Sequence, residues 1–193
     1  MIIAEHLQES SADARKGQRA RKGKSGHSRA GADSPNDPMP ASGTEASERL
    51  RAVADANQIA IANLTGKRPL ILLVDDEPEV GVLTQLILSD EGYKVVTAQD
   101  GDQAIAIFEK LAAHISLVIL DLIMPSMDGE DVFNRLREFD PGISVVLSSG
   151  FSNQEKLERM LARGLRGFIP KPFTQQRLLE EVRVIVASAK EEA

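Results

Sequence analysis

From Pro69 onward the chain alternates short apolar runs with longer segments of helical periodicity, and the alternation repeats five times. The runs predict strands over Leu70 to Val74, Lys94 to Thr97, Ser116 to Leu120, Ile143 to Leu147 and Gly167 to Ile169. Three of them are nearly continuous Ile, Leu and Val, the composition of strands covered by helices on both faces. The intervening periodicity predicts helices over Glu79 to Glu91, Asp102 to Ala113, Glu130 to Phe139, Asn153 to Arg163 and Gln175 to Ala189. Gly92 and Gly164 stand where C-terminal caps belong, and Pro78 stands in a first turn, where its missing N–H does little harm. The fold class is therefore α/β, a doubly wound five-stranded parallel sheet between five helices. Right-handed crossovers and a reversal of strand order place a ligand site at the carboxyl ends of the strands.

Asp75 and Asp76 follow the first strand, Asp121 the third, Ser148 and Ser149 the fourth, and Lys171 the last. Each has a bland reading alone: loop and cap residues, a serine turn, a solvated lysine. Together they put three carboxylates on one rim, where mutual repulsion raises carboxyl pKa values unless a cation joins them. Only oxygen ligands are at hand, which selects Mg²⁺ or Mn²⁺ over zinc.

The chain has no cysteine, which removes disulfides, thiolate metal sites and thiol nucleophiles. No apolar run reaches bilayer length and the start lacks the order of a signal peptide, so the expectation is a cytoplasmic protein without a membrane partner. The net charge of −6 is uneven: residues 1–66 carry nine Lys/Arg against eight Asp/Glu, so the acidity belongs to the remainder and argues against nucleic acid as the folded domain's partner.

Residues 1–43 are rich in Ser, Gly, Ala, Pro and charge, a composition that predicts a disordered extension. Its stretch from Arg15 to Arg29 holds seven Lys/Arg and no acid, and reads as a solvated tail. Residues 44–66 read as an amphipathic helix and linker: Thr44 as N-cap, then Leu50, Val53, Asn57, Ile61 and Leu64 at three- and four-residue steps, then Gly66. Such a helix is isolated, folds back on the domain, or pairs two chains over 44–64 as a short coiled coil with Asn57 fixing register. Residues 67–193 form the folded domain.

Val74-Asp75-Asp76-Glu77-Pro78, Leu120-Asp121-Leu122-Ile123-Met124-Pro125 with Met127-Asp128-Gly129, Leu147-Ser148-Ser149-Gly150, and Pro170-Lys171-Pro172-Phe173 resemble, in order and spacing, the signature blocks of the two-component response-regulator receiver (CheY-like) family. The resemblance implies a flavodoxin-like strand order 2-1-3-4-5. It implies Asp121 as phosphoacceptor, Asp75 and Asp76 as Mg²⁺ ligands, Asp76 directly, and the main-chain carbonyl of Ile123 completing the protein's share. Lys171 would contact the phosphoryl oxygens, Ser149 would move to bond them, and Lys171-Pro172 matches a position usually cis. The donor would be a histidine kinase or histidine phosphotransfer protein in a phosphorelay, since His6, His27 and His114 lack a donor's helical framework. Output would pass by protein contact to an unknown target, without a DNA-binding domain. The alternative is a phosphorylation-independent docking module on the same fold.

Asp128 and Gly129 have a structural reading, Asp128 as a cap of the third helix and Gly129 relieving the turn. The family's aromatic switch position, often tyrosine, is Phe168 here, which leaves signalling through the ring to packing alone. Ile123 and Phe151, at the positions flanking the phosphoryl group, are both apolar, which predicts hindered water attack and a long-lived acyl phosphate, unless either side chain turns toward the core. A haloacid-dehalogenase-like phosphatase needs a second Asp two residues after its nucleophile; Ile123 stands there, and Glu77 two after Asp75, so no external-substrate turnover enzyme is expected. A dinucleotide-binding domain fails on the absence of a Gly-rich first turn.

Overall fold

The computed structural model describes residues 57–58, 66, 68–150 and 154–191. The expectations for residues 1–43, for most of 44–66 and for Phe151 lie outside them. Among the described residues from 68 onward, five strands and five helices alternate: β1 Leu70–Val74, α1 Pro78–Asp90, β2 Lys94–Ala98, α2 Gly101–Leu111, β3 Ile115–Asp121, α3 Gly129–Phe139, β4 Val145–Ser149, α4 Gln154–Ala162, β5 Gly167–Pro170 and α5 Gln175–Glu191. All strands are parallel, in the order β2-β1-β3-β4-β5.

Every residue of β1 is buried, because side chains alternate across a strand and this sheet is covered on both faces. Leu70, Leu72 and Val74 join Phe108 and Phe133 in one core layer. Ile71 and Leu73 join Ile169, Leu178 and Val182 in the other. The order reverses between β1 and β3, so the crevice at their carboxyl ends is the topological switch point.

Gly92 and Gly164 end α1 and α4 with φ of 89° and 96°, left-handed backbone that a side chain disfavours. Asp100 and Asp128 cap α2 and α3, accepting from the Gln103 and Glu130 amides.

Element ends lie within two residues of the sequence reading, and two of the differences have a visible cause or consequence. The fourth strand begins at Val145 rather than Ile143: Asp140 Oδ1 accepts the Gly142 N–H at 2.8 Å, and the Ile143 N–H turns back to the Asp140 carbonyl. Ile143 is buried, but by the turn rather than the ladder. Ser148 and Ser149 are thus the last residues of β4, and Asp121 the last of β3. The second helix stops at Leu111 and tightens into a 3₁₀ turn, Ala112–His114, that leads into β3.

Candidate functional site

Asp75 leaves β1 with its N–H on the Ala98 carbonyl of β2 at 3.1 Å, while its Oδ1 accepts the Glu77 N–H at 3.0 Å. The last residue of β3 is tied the same way: Asp121 Oδ1 accepts the Ile123 N–H at 3.0 Å. These short-range bonds aim the remaining oxygens of both carboxylates at the crevice. Carboxylate oxygens of Asp75, Asp76 and Asp121 all lie within 4.8 Å of one another.

Lys171 follows the last residue of β5. Its N–H binds the Ser149 carbonyl at 2.9 Å, and the following peptide to Pro172 is cis. Its Nζ lies 2.6 Å from Asp121 Oδ2, 2.8 Å from Asp75 Oδ2 and 3.6 Å from Glu77 Oε1. Burial pushes the Asp75 carboxyl above its ordinary value, more than the hydrogen bond and charge of Lys171 pull it down. Burial also depresses Lys171, but hydrogen bonds to Asp121 and Asp75 outweigh it and hold the amine above its ordinary value. Asp75, Asp76 and Asp121 together give a crevice of hard oxygen donors, a set matched to a divalent cation of the Mg²⁺ or Mn²⁺ type.

The cleft over this cluster is lined also by Val80, Leu83, Ser149, Gly150, Pro172 and Phe173. Ile123 stands at its rim with 57% exposure, so its side chain does not turn toward the core. Phe168 stands apart, half-buried against the core layer that contains Leu157 and Met160 of α4. Ser148 is buried, and its hydroxyl has no hydrogen-bond partner among the described residues.

Gly129 is required here by space rather than by a turn. A Cβ at this position would lie 2.3 Å from the Asp121 carbonyl oxygen, because the first residue of α3 packs directly on the end of β3. Beside it, Lys156 of α4 holds Asp128 with an Nζ–Oδ1 distance of 2.6 Å and approaches Glu130 at 3.7 Å. Burial raises the Asp128 carboxyl, but the Lys156 and Glu130 hydrogen bonds outweigh it and hold the group below its ordinary value. The sequence reading missed Lys156 and the apolar lip of Val80 and Leu83. An unsupported lysine three residues into a helix carries no signal, whereas Leu83 and Leu86, apolar yet 59% and 63% exposed, depart from the inward stripe of α1.

The family model of the response regulator receiver domain matches residues 71–183. The chain belongs to this family. Among curated relatives, the chemotaxis protein CheY of Treponema pallidum is 32% identical over 117 residues, 60% of this chain and 81% of the relative. The nitrogen assimilation regulatory protein NtrX of Azorhizobium caulinodans is 39% identical over 111 residues, which is 56% of this chain but 24% of that protein. The match to the sensor kinase CckA of Brucella abortus covers 12% of that protein, so the chain spans only a small part of several relatives. A CheY-like receiver from Methanospirillum hungatei superposes with a TM-score of 0.63 at 26% identity, over 66% of this chain and all of that one. CheY from Borrelia burgdorferi, solved with CheX, BeF3 and Mg²⁺, superposes with a TM-score of 0.58 at 32% identity, over 63% and 91% of the two chains. The receiver fold with strand order 2-1-3-4-5 is thus shared with solved structures. None of the described helices is long and apolar enough to cross a membrane.

Proposed function

We propose that this receiver accepts a phosphoryl group on Asp121 from a phosphohistidine of a sensor histidine kinase or histidine phosphotransfer protein, and passes the signal on by protein contact. The observation that carries the proposal is the bridging of Asp121 and Asp75 by Lys171 beside a third carboxylate, Asp76. A carboxylate is a competent nucleophile toward phosphorus, and an acyl phosphate keeps a high transfer potential. Ile123 N–H fixes one Asp121 oxygen and Lys171 the other, so the carboxylate is oriented before the donor arrives.

A bound Mg²⁺ would offset the charge of the transferring group, and Asp75, Asp76, Asp121 and the Ile123 main-chain carbonyl are the groups that would hold it. Lys171 then moves from the Asp121 carboxylate to a phosphoryl oxygen, and the hydroxyl of Ser149, which lines the same cleft, bonds another. The displacement of Ser149 opens space beside β5, and Phe168 answers by repacking against α4. The ring offers no hydrogen-bond donor, so the output difference rests on packing. A Phe168→Ala variant that left target affinity of the phosphorylated form unchanged would remove this switch.

The protein is not a turnover enzyme in this reading, since no acid or base stands two residues beyond Asp121 to process an external substrate. Thermal unfolding with Mg²⁺ and beryllofluoride, a phosphoryl mimic, tests it. The mimic raises the midpoint of the natural chain and leaves Asp121→Asn unmoved, because only the carboxylate coordinates it. An identical response in both chains would favour a phosphorylation-independent docking module.

A further inference from the structure

Strand β2 is one edge of the sheet, and an edge strand offers outward backbone groups to any chain that can pair with them. In this protein side-chain amides take three of them. The Thr97 N–H donates to Asn57 Oδ1 at 2.8 Å, the Thr97 carbonyl accepts from Asn57 Nδ2 at 3.0 Å, and the Thr97 hydroxyl reaches the same Oδ1 at 3.2 Å. Two residues earlier, the Val95 carbonyl accepts from Gln85 Nε2 of α1 at 3.4 Å. One carboxamide thus satisfies both outward groups of Thr97, as a neighbouring strand would, and Thr97 is only 6% exposed although it lies on an edge.

The chain also passes the start of β2 before entering β1: the Lys94 N–H donates to the Pro69 carbonyl at 3.0 Å, and a Cβ at Gly66 would stand 3.9 Å from the Lys94 ammonium. Three residues of strand separate Lys94 from Thr97, about 10 Å. The nine residues from Asn57 to Gly66 span that distance even at helical rise, about 13 Å. Pairing within one chain therefore needs no strained connection.

We infer that the β2 edge at Thr97 is the docking surface for the chain's own Asn57, engaged in cis with the receiver sheet. The amide that the sequence offers as a register-setting residue of a two-chain seam is engaged with its own domain. The edge is closed to strand addition while the segment is docked. It also lies one residue from Ala98, whose carbonyl holds the Asp75 N–H at 3.1 Å, so a partner that lifts the segment uncovers backbone next to the acidic cluster. This inference is independent of the acceptor chemistry.

Amide hydrogen exchange of the full chain, resolved at Thr97, is the test. The Thr97 amide is protected in the natural chain at every protein concentration. Asn57→Ala speeds its exchange about tenfold, the scale of one hydrogen bond, while Val96, whose amide lies in the ladder to β1, keeps its protection. Asn57→Asp retains the acceptor but sets a carboxylate against the Thr97 carbonyl, and falls between the two. Equal Thr97 exchange in the natural chain and both variants overturns the inference. Protection lost on dilution also overturns it, by showing that a second copy covers the edge. Should Asn57→Ala release Val96 as well, the sheet itself has loosened, and Asn57→Asp with the dilution series decides.

Discussion

Lys171 and Asp121 meet at 2.6 Å across the crevice, joining the end of β5 to the end of β3, and the same ammonium reaches Asp75 at 2.8 Å. All three side chains are largely buried, so removing the ammonium leaves two buried carboxyl groups without their shared partner. Lys171→Gln should destabilise the metal-free protein by about 3 kcal/mol, the scale of a buried pair left without its partner. Mg²⁺ should bind the variant more tightly, since it no longer competes with a cation, and should restore much of the loss. Urea unfolding with and without Mg²⁺ reads both; a variant as stable as the natural chain without metal contradicts the account.

Gly129 packs against the carbonyl of the acceptor residue so closely that an added Cβ would stand 2.3 Å from its oxygen. Backbone cannot yield as a flexible side chain does. Gly129→Ala should cost about 2 kcal/mol and displace Asp121, slowing phosphorylation in the fraction that folds. Urea unfolding and acetyl phosphate labelling measure the two effects, and a neutral substitution would show that α3 slides without moving β3.

Ile123 is exposed at the rim of the cleft, offering bulk but no group to orient water. The acyl phosphate of the natural chain should persist well beyond seconds, and Ile123→Asn, which supplies an amide at the same place, should shorten it severalfold. Decay of the intact-mass adduct gives both lifetimes. Loss within seconds in the natural chain would show that water reaches the phosphoryl group past this side chain.

Asp128 joins α3 to α4 through Lys156, and its carboxyl is held below its ordinary value. A carboxyl lowered in the folded state contributes stability above its unfolded pKa and loses it as pH falls through its folded pKa. Asp128→Asn preserves the helix cap but removes the charge. The natural chain should be the more stable of the two at neutral pH, and the difference should vanish as pH falls below about 3.8, the unperturbed value, toward the folded pKa. Urea midpoints across that range measure it; a difference independent of pH would assign Asp128 to the cap alone.

The strands that lie inside the sheet were legible because burial on both faces leaves an unbroken apolar run, as in Leu70–Val74. Ile143 shows the limit: it is as apolar as its neighbours, yet the Asp140 side chain draws it into a turn, and composition cannot separate burial by a turn from burial by a ladder. The acidic cluster was legible because every member ends or follows a strand, a placement that topology alone brings together. The role of Gly129 was not, since close approach to the Asp121 carbonyl depends on packing between α3 and β3. Asn57 hid its partner most fully. Its helical spacing fits a seam, whereas its hydrogen bonds run to an edge strand 40 residues away.

The central claim is that Asp121 takes the phosphoryl group in a metal-dependent reaction, and intact mass after incubation with acetyl phosphate and Mg²⁺ tests it most directly. The account predicts a single phosphoryl adduct on the natural chain, absent from Asp121→Asn and absent when a chelator removes the metal. No adduct under any condition, or an equal adduct on Asp121→Asn, would contradict it.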